Sequence, residues 1–168
     1  NIKPALLLDH PMFEELKEKN LFVKEEDSDN PYLCQYWDEL GAHLDFTNIE
    51  TINWWKEQVT KQLLEYGIDS TWNDNNEYEI WGNSKLNGFG KEIDLELVRS
   101  IMPLLMMKSS FEAQKAFNPN ERPYLISRSG CPGMQRYVQT WSGDNYTSWK
   151  TLKYNIKMGN GLSLSGVY

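Results

Sequence analysis

The 168-residue chain carries 17 basic and 24 acidic side chains, a formal net charge of −7. That balance argues against nucleic acid, which calls for a basic stripe, and against anionic membrane surfaces. Its hydrophobic share of 40% and charged share of 24% suit a soluble globular domain with a real core, and no apolar run reaches the roughly 18 residues needed to cross a bilayer.

The two cysteines, Cys34 and Cys131, form neither a disulfide framework nor a metal motif. With only His10 and His43, Ser–His and Cys–His catalysis have little to work with. No metal site is therefore expected. The opening Asn1-Ile2-Lys3-Pro4 has no basic n-region or small-residue cleavage site, and no initiator Met. The expectation is no signal peptide, and a true N-terminus that lies upstream. Seven Trp and nine Tyr are many for this length. Most suit core packing, and some suit platforms for the apolar faces of sugars.

Ile2 to Leu8 reads as the end of a strand, and Pro11 to Lys19 as a short helix. Ser28 to Leu44 reads as an irregular aromatic loop. Thr47-Asn48-Ile49-Glu50 has the form of a capping box. The helix after it shows apolar residues at Ile52, Trp55, Val59, Leu63 and Tyr66, and Gly67 is placed to end it. Ile68 to Trp72 follows as a strand, then Asn73 to Asp94 as a long polar loop of the kind that is usually functional. Asp94 is placed to cap a long helix through Ala116, with Ile101 to Met107 buried and Pro103 at a kink or near its start. Pro123 to Arg128 and Tyr137 to Trp141 read as two more strands, although their link is short for a parallel crossover. Ser148 to Met158 reads as a helix with Trp149, Leu152 and Ile156 on one face, and Gly161 to Tyr168 as the beginning of a further strand. Strands alternating with helices predict βαβ units and a parallel sheet. A full (β/α)8 barrel takes about 250 residues, so the pattern corresponds to the middle of one.

In such a barrel the chemistry sits where strands end and loops begin. The first strand end offers Asp9 and His10. The second offers Trp72-Asn73-Asp74-Asn75-Asn76-Glu77, the third Ser127-Arg128-Ser129-Gly130, and the fourth Trp141-Ser142-Gly143-Asp144-Asn145. Two carboxylates, a guanidinium and tryptophans thus point toward one rim. The set suits glycoside hydrolysis, which needs one ionised carboxylate to attack the anomeric carbon and one protonated carboxyl to help the leaving oxygen depart. Arg128 suits sugar hydroxyls through charge-assisted hydrogen bonds. Taken singly, Asp74 and Asn76 also suit turn or cap positions, Gly143-Asp144-Asn145 a plain turn, and Trp141 the core.

Together these segments resemble glycoside hydrolase family 31. Trp72-Asn73-Asp74-Asn75-Asn76-Glu77 is similar to that family's nucleophile motif W-x-D-M-N-E, and Trp141-Ser142-Gly143-Asp144-Asn145 to its acid/base motif W-x-G-D-N. Arg128-Ser129 resembles its R-S pair, and the sixteen-residue step from Arg128 to Asp144 fits the family's spacing. Trp37 followed eight residues later by Asp45-Phe46-Thr47-Asn48 resembles its W…D-F-T-N segment, in which the Trp lines the subsite of the reacting sugar. Leu164-Ser165-Gly166-Val167 resembles the run before the family's next strand. The sequence departs from the pattern at Asn75, where the family usually has Met, and along Tyr78-Glu79-Ile80-Trp81. Trp72 fits the α-glucosidase branch rather than the K-T-D-F-G-E motif of the α-xylosidases. The family's N-terminal β-sandwich, earlier strands with a substrate-binding Asp, and later strands with a further Asp and a His have no counterpart here.

The resemblance implies a partial (β/α)8 TIM barrel, with residues 1–168 one segment of a single catalytic domain cut at both ends. It implies a retaining exo-α-glucosidase acting on terminal non-reducing α-linked glucose of oligosaccharides. Asp74 is then nucleophile and Asp144 general acid/base, with Trp37, Trp72, Arg128 and Trp141 holding the sugar. Alternatives are an α-xylosidase, an α-glucan lyase or a transglycosylase on the same scaffold, or a non-catalytic carbohydrate-binding relative. The rest of the barrel is expected to be needed for activity. The sequence does not fix oligomeric state or location. The sequon-like Asn145-Tyr146-Thr147 overlaps the acid/base motif and reads as chance, in keeping with a cytoplasmic or bacterial protein.

Overall fold

The computed structural model describes residues 1–37 and 39–167. Its centre is a parallel arc. Strand β5 (Ser70–Asn73) pairs in parallel with β8 (Tyr124–Ser127), register Ser70 to Tyr124 and Asn73 to Ser127. Single parallel bridges extend the arc on both sides, Ile2 to Asn73 and Ile126 to Gln139. Four segments therefore lie side by side in chain order, as the βαβ reading requires. The helices α2 (Ile49–Gln62) and α4 (Met102–Phe117) pack on each other, and α4 packs on β5 and β8. Trp55 and Val59 of α2 and Met102 and Met106 of α4 share one buried cluster with Phe46 and Leu44. A second cluster, Met107, Leu125, Met134, Val138 and Val167, lies under the later part of the chain.

Two antiparallel sheets flank the arc, and neither was expected. Strand β1 (Ala5–Leu7) pairs with β4 (Glu39–His43), which pairs with β3 (Leu33–Tyr36). The segment read as an irregular loop is thus a hairpin that carries Trp37 at its tip. Gly41 is needed inside it, because a Cβ there would meet the Leu6 carbonyl oxygen at 2.5 Å. Inside the long loop, β6 (Ser84–Leu86) pairs with β7 (Ile93–Asp94) and with β2 (Lys24–Glu25), and Tyr78, Ile80 and Leu86 are buried. Polar spacing hid these three apolar anchors.

Several helix boundaries also differ from the sequence reading. The Pro11–Lys19 helix is α1, confined to Phe13–Glu18, with the Met12 N–H donating to His10 Nδ1 just ahead of it. The cap of α2 is Asn48, whose side chain accepts the Glu50 N–H, while Thr47 Oγ1 donates to Asp45 instead. Helix α2 ends at Gln62 and a 3-10 turn follows to Gly67, whose φ of 82° closes it; Tyr66 is exposed rather than packed. The helix from Asp94 is two helices, α3 (Leu95–Val98) and α4, joined by a 3-10 turn, and Pro103 sits in the first turn of α4, where its missing N–H costs nothing.

The Tyr137–Trp141 strand is reduced to the single bridge at Gln139. A 3-10 turn, Met134–Arg136, makes the short parallel crossover that a full helix could not. Gly161 does not start a strand: α5 runs from Trp149 to Leu164, a full turn and more beyond Met158. The Gly-Leu-Ser-Leu run simply extends its backbone, since two glycines weaken a helix by only about 1 kcal/mol each. No helix among the described residues is long and apolar enough to cross a membrane.

Candidate active site

The Trp72-to-Glu77 motif begins on the last residues of β5. Asn73 is fully buried and locks the strand end: its Oδ1 accepts from Ser110 Oγ at 2.8 Å, and Ser110 in turn accepts from Trp55 Nε1 at 2.9 Å. Its amide donates to the Ile126 carbonyl. A relay of polar groups thus runs from α2 through α4 to the strand that presents Asp74. The Asp74 N–H donates to the Ile2 carbonyl at 2.9 Å, and the Arg128 N–H to the Asn73 carbonyl at 3.0 Å, so neighbouring strands fix both residues from the backbone. Asn76, with no exposed surface, ties the two loops together: its amide donates to Ser127 Oγ at 2.9 Å and its oxygen accepts the Ser129 N–H at 3.1 Å.

The loop between them is bent hard. Asn75 has φ of 48° and Tyr78 φ of 56°. Asn tolerates that region, whereas a bulky ring there is strained and must be held by its surroundings. Tyr78 is held: its ring is fully buried 4.7 Å from that of His43, its hydroxyl donates to the Leu44 carbonyl at 2.7 Å, and its own carbonyl accepts from Arg99 Nη1 at 2.6 Å.

Asp74 is 5% exposed. Its Oδ2 accepts from Asn1 Nδ2 at 2.8 Å and lies 4.0 Å from Lys3 Nζ. Its Oδ1 has no hydrogen-bond donor among the described residues, and the nearest cation is Arg128 Nη1 at 3.7 Å. Arg128 gives its other nitrogens to Glu77, Nε to Oε1 at 2.7 Å and Nη2 to Oε2 at 2.8 Å. The hydrogen bonds to Glu77 raise the guanidinium's pKa above its ordinary value, and the charges of Glu77, Asp74 and Asp144 add to that effect. Asp144 itself is exposed, on a turn that Gly143 enters with φ of 94° and that the Asn145 amide closes on the Ser142 carbonyl at 2.7 Å.

Of the four aromatic or basic residues expected around the sugar, three gather at this rim. Trp72 and Trp141 meet edge to face, 4.9 Å between centroids, and Arg128 sits beside Asp74. Trp37 stands on the hairpin tip, 71% exposed, with Lys3 Nζ 4.1 Å over its ring. A cleft of about 260 Å³ joins Trp37 to Asn75, Glu77 and Arg128. Asp45 lies elsewhere: it is buried, burial pushes its carboxyl pKa up, and it accepts from Thr47 and from the Asn87 N–H at 2.6 Å. Its segment is structural. Sequence reasoning assigned no part in the site to Asn1, Lys3, Asn73, Asn76 or Glu77. The last three stand inside the quoted motif, so adjacency to Asp74 was an available signal; for Asn1 and Lys3 only the strand pairing brings them close.

The model of the glycosyl hydrolases family 31 TIM-barrel domain matches residues 1–168. The chain is 31% identical over 146 residues to an alpha-glucosidase 2 of Bacillus thermoamyloliquefaciens, covering 82% of this chain and 18% of that protein. It is 30% identical over 168 residues to a neutral alpha-glucosidase C of Mus musculus, covering 95% and 18%. Among solved structures, the glucosidase II alpha subunit superposes with TM-score 0.82 over 99% of this chain and 19% of that one, at 24% identity. A family 31 sulfoquinovosidase from E. rectale superposes at 0.76 over 86% and 21%, at 28% identity. The chain thus spans less than a quarter of each of these relatives. With the parallel arc, the motif order and the family match in agreement, the chain belongs to glycosyl hydrolases family 31 and lies within its TIM-barrel domain.

Proposed function

We propose that the complete protein is a retaining exo-α-glucosidase that removes terminal non-reducing α-linked glucose from oligosaccharides. The observation that carries this reading is the buried Asp74 at the end of β5 with Arg128 at the end of the neighbouring parallel strand, its Nη1 3.7 Å away, and Asp144 exposed on the turn that follows the next parallel segment. Asp74 attacks the anomeric carbon and forms a glycosyl ester while Asp144 protonates the departing oxygen. Asp144 then takes a proton from water, which attacks the same carbon and releases Asp74. Exposure suits Asp144 to proton exchange with solvent, and burial suits Asp74 to a fixed attack line. Trp37, Trp72, Arg128 and Trp141 hold the sugar, and Trp stacking excludes water. This scheme uses side chains alone, with neither a cofactor nor a metal; the substrate is the partner it requires.

The preferred linkage belongs to the wall at Asn75, where the sequence departs from the family pattern, across the cleft from Trp37. The test is to follow the initial product of the complete enzyme by NMR on glucose disaccharides. Release of α-glucose supports retention at an α-linkage, and β-glucose overturns it. An unsaturated sugar would identify a lyase, longer oligosaccharides a transglycosylase, and preference for xylosides an α-xylosidase. A protein that binds but turns nothing over would be a carbohydrate-binding relative.

A further inference from the structure

The bidentate pair of Glu77 with Arg128 has no part in the steps above, yet it decides what Arg128 can do. A guanidinium beside a buried carboxylate tends to close on it in a two-pronged ion pair. Such a pair on Asp74 would occupy the lone pairs that attack needs. Here both prongs are already taken: Nε and Nη2 lie 2.7 and 2.8 Å from the two Glu77 oxygens. Only Nη1 turns to Asp74, and it stops 3.7 Å from Oδ1, near enough to balance the charge and too far to form a hydrogen bond.

We infer that Glu77 is a positioning residue that holds Arg128 off the nucleophile while keeping its charge beside it. The inference rests on Asp74 being the nucleophile. The other charged groups around the pair do not replace Glu77: Lys3 lies on the Oδ2 side of Asp74, and Asp144 acts on Arg128 from its exposed turn. Glu77 sits between Asn76, tied to Ser127 and Ser129, and Tyr78, tied to the Leu44 carbonyl and Arg99, so its backbone is fixed from both sides. Because the pair is partly exposed, its contribution to stability is small.

The test is a double-mutant cycle in the complete enzyme, read on an activated aryl α-glucoside. Glu77→Ala frees Arg128 to close on Asp74 and lowers kcat about 100-fold, the loss that a 1 Å misplacement brings, while the thermal midpoint stays near that of the parent. Glu77→Gln, which keeps one acceptor, falls between the two. Once Arg128 is removed there is nothing left to hold off, so Glu77→Ala with Arg128→Ala turns over no more slowly than Arg128→Ala alone. Penalties that multiply, or a kcat loss that follows the thermal midpoint in every background, overturn the inference. Asp74→Ala in the same series separates the two claims: if it retains turnover the nucleophile assignment fails, and if it is inactive while the penalties multiply, only the role of Glu77 fails.

Discussion

The two carboxylates differ in ways that set distinct expectations for their variants. Asp74 is buried and held by Asn1, Lys3 and Arg128, whereas Asp144 stands on an exposed turn. Asp74→Ala is expected to abolish turnover of every substrate. Asp144→Ala is expected to spare substrates with good leaving groups, which need little protonation, and azide should restore part of its activity by attacking the glycosyl-enzyme without base help. Equal responses of the two variants to leaving-group acidity and azide would reverse the assignment. In the native structure the two carboxyl groups should stand about 5–5.5 Å apart. His43 gives a prediction away from the chemistry. Burial lowers its pKa to about 3, while the unfolded chain keeps the ordinary value near 6.5. The unfolded state therefore binds the extra proton first as pH falls, and stability is lost below about pH 6.5, by roughly 2 kcal/mol at pH 5. Thermal midpoints of the parent and His43→Gln should converge as the pH falls from 7 to 5; parallel curves would show that His43 does not carry this dependence.

At the scale of elements, the parallel strands were legible as short runs between turns, although each fully buries only one face: Thr71 and Asn73 of β5 and Leu125 and Ser127 of β8 are buried, while Ser70 and Tyr124 are exposed. Asp74 and Arg128 were legible for a related reason, since they directly follow the strand ends Asn73 and Ser127, whereas Asp144 lies five residues past the single bridge at Gln139 and was legible from its motif instead. The two small sheets were not legible. Strand β3 alternates exposed and half-buried residues, among them Cys34 and Gln35, and β4 runs from exposed Glu39 and Leu40 into buried Gly41, Ala42 and His43, which together carry little strand signal. The loop after Asp74 spaces Tyr78, Ile80 and Leu86 among polar residues, so its packing depends on partners remote in sequence. Helix α5 was legible as an element but not in extent: it fully buries no residue, and near its end only the half-buried Leu162 packs against the second cluster. The staple between loops is testable. Asn76→Ala leaves the Ser129 N–H and Ser127 Oγ without their partner, which should cost about 1–3 kcal/mol. It should also reduce kcat, because Asp74 and Arg128 lose their common tie. Trp37→Ala should do the opposite, leaving the thermal midpoint near the parent's while lowering kcat/KM, since its ring is exposed at the cleft; a large loss of stability would return Trp37 to a packing role.

At the scale of the whole molecule, the motifs and the architecture pull against each other. The segment carries both proposed catalytic carboxylates, yet the 168 residues by themselves should be inactive. The parallel arc is held by one four-residue pairing and a single bridge on each flank, Ile2 to Asn73 and Ile126 to Gln139. Each flank presents backbone groups that another strand would normally pair, which invites association. Helix α5 turns Trp149, Leu152, Ile156 and Leu164 to solvent, a row of apolar side chains that calls for a partner. The loop bearing Asp144 leads into that helix, which fully buries no residue and reaches the loop through the Asn155 amide on Ser142 Oγ at 3.3 Å. Loss of alignment between acid, nucleophile and sugar can forfeit several kcal/mol of barrier reduction. Purified monomeric segment, assayed with an activated aryl α-glucoside, is therefore expected to show no turnover, and size-exclusion chromatography should find most of the material dimeric or aggregated. A monomer with turnover near that of a complete relative would mean that the arc around Asp74, Arg128 and Asp144 holds its geometry without the strands and helix contacts that a closed barrel supplies.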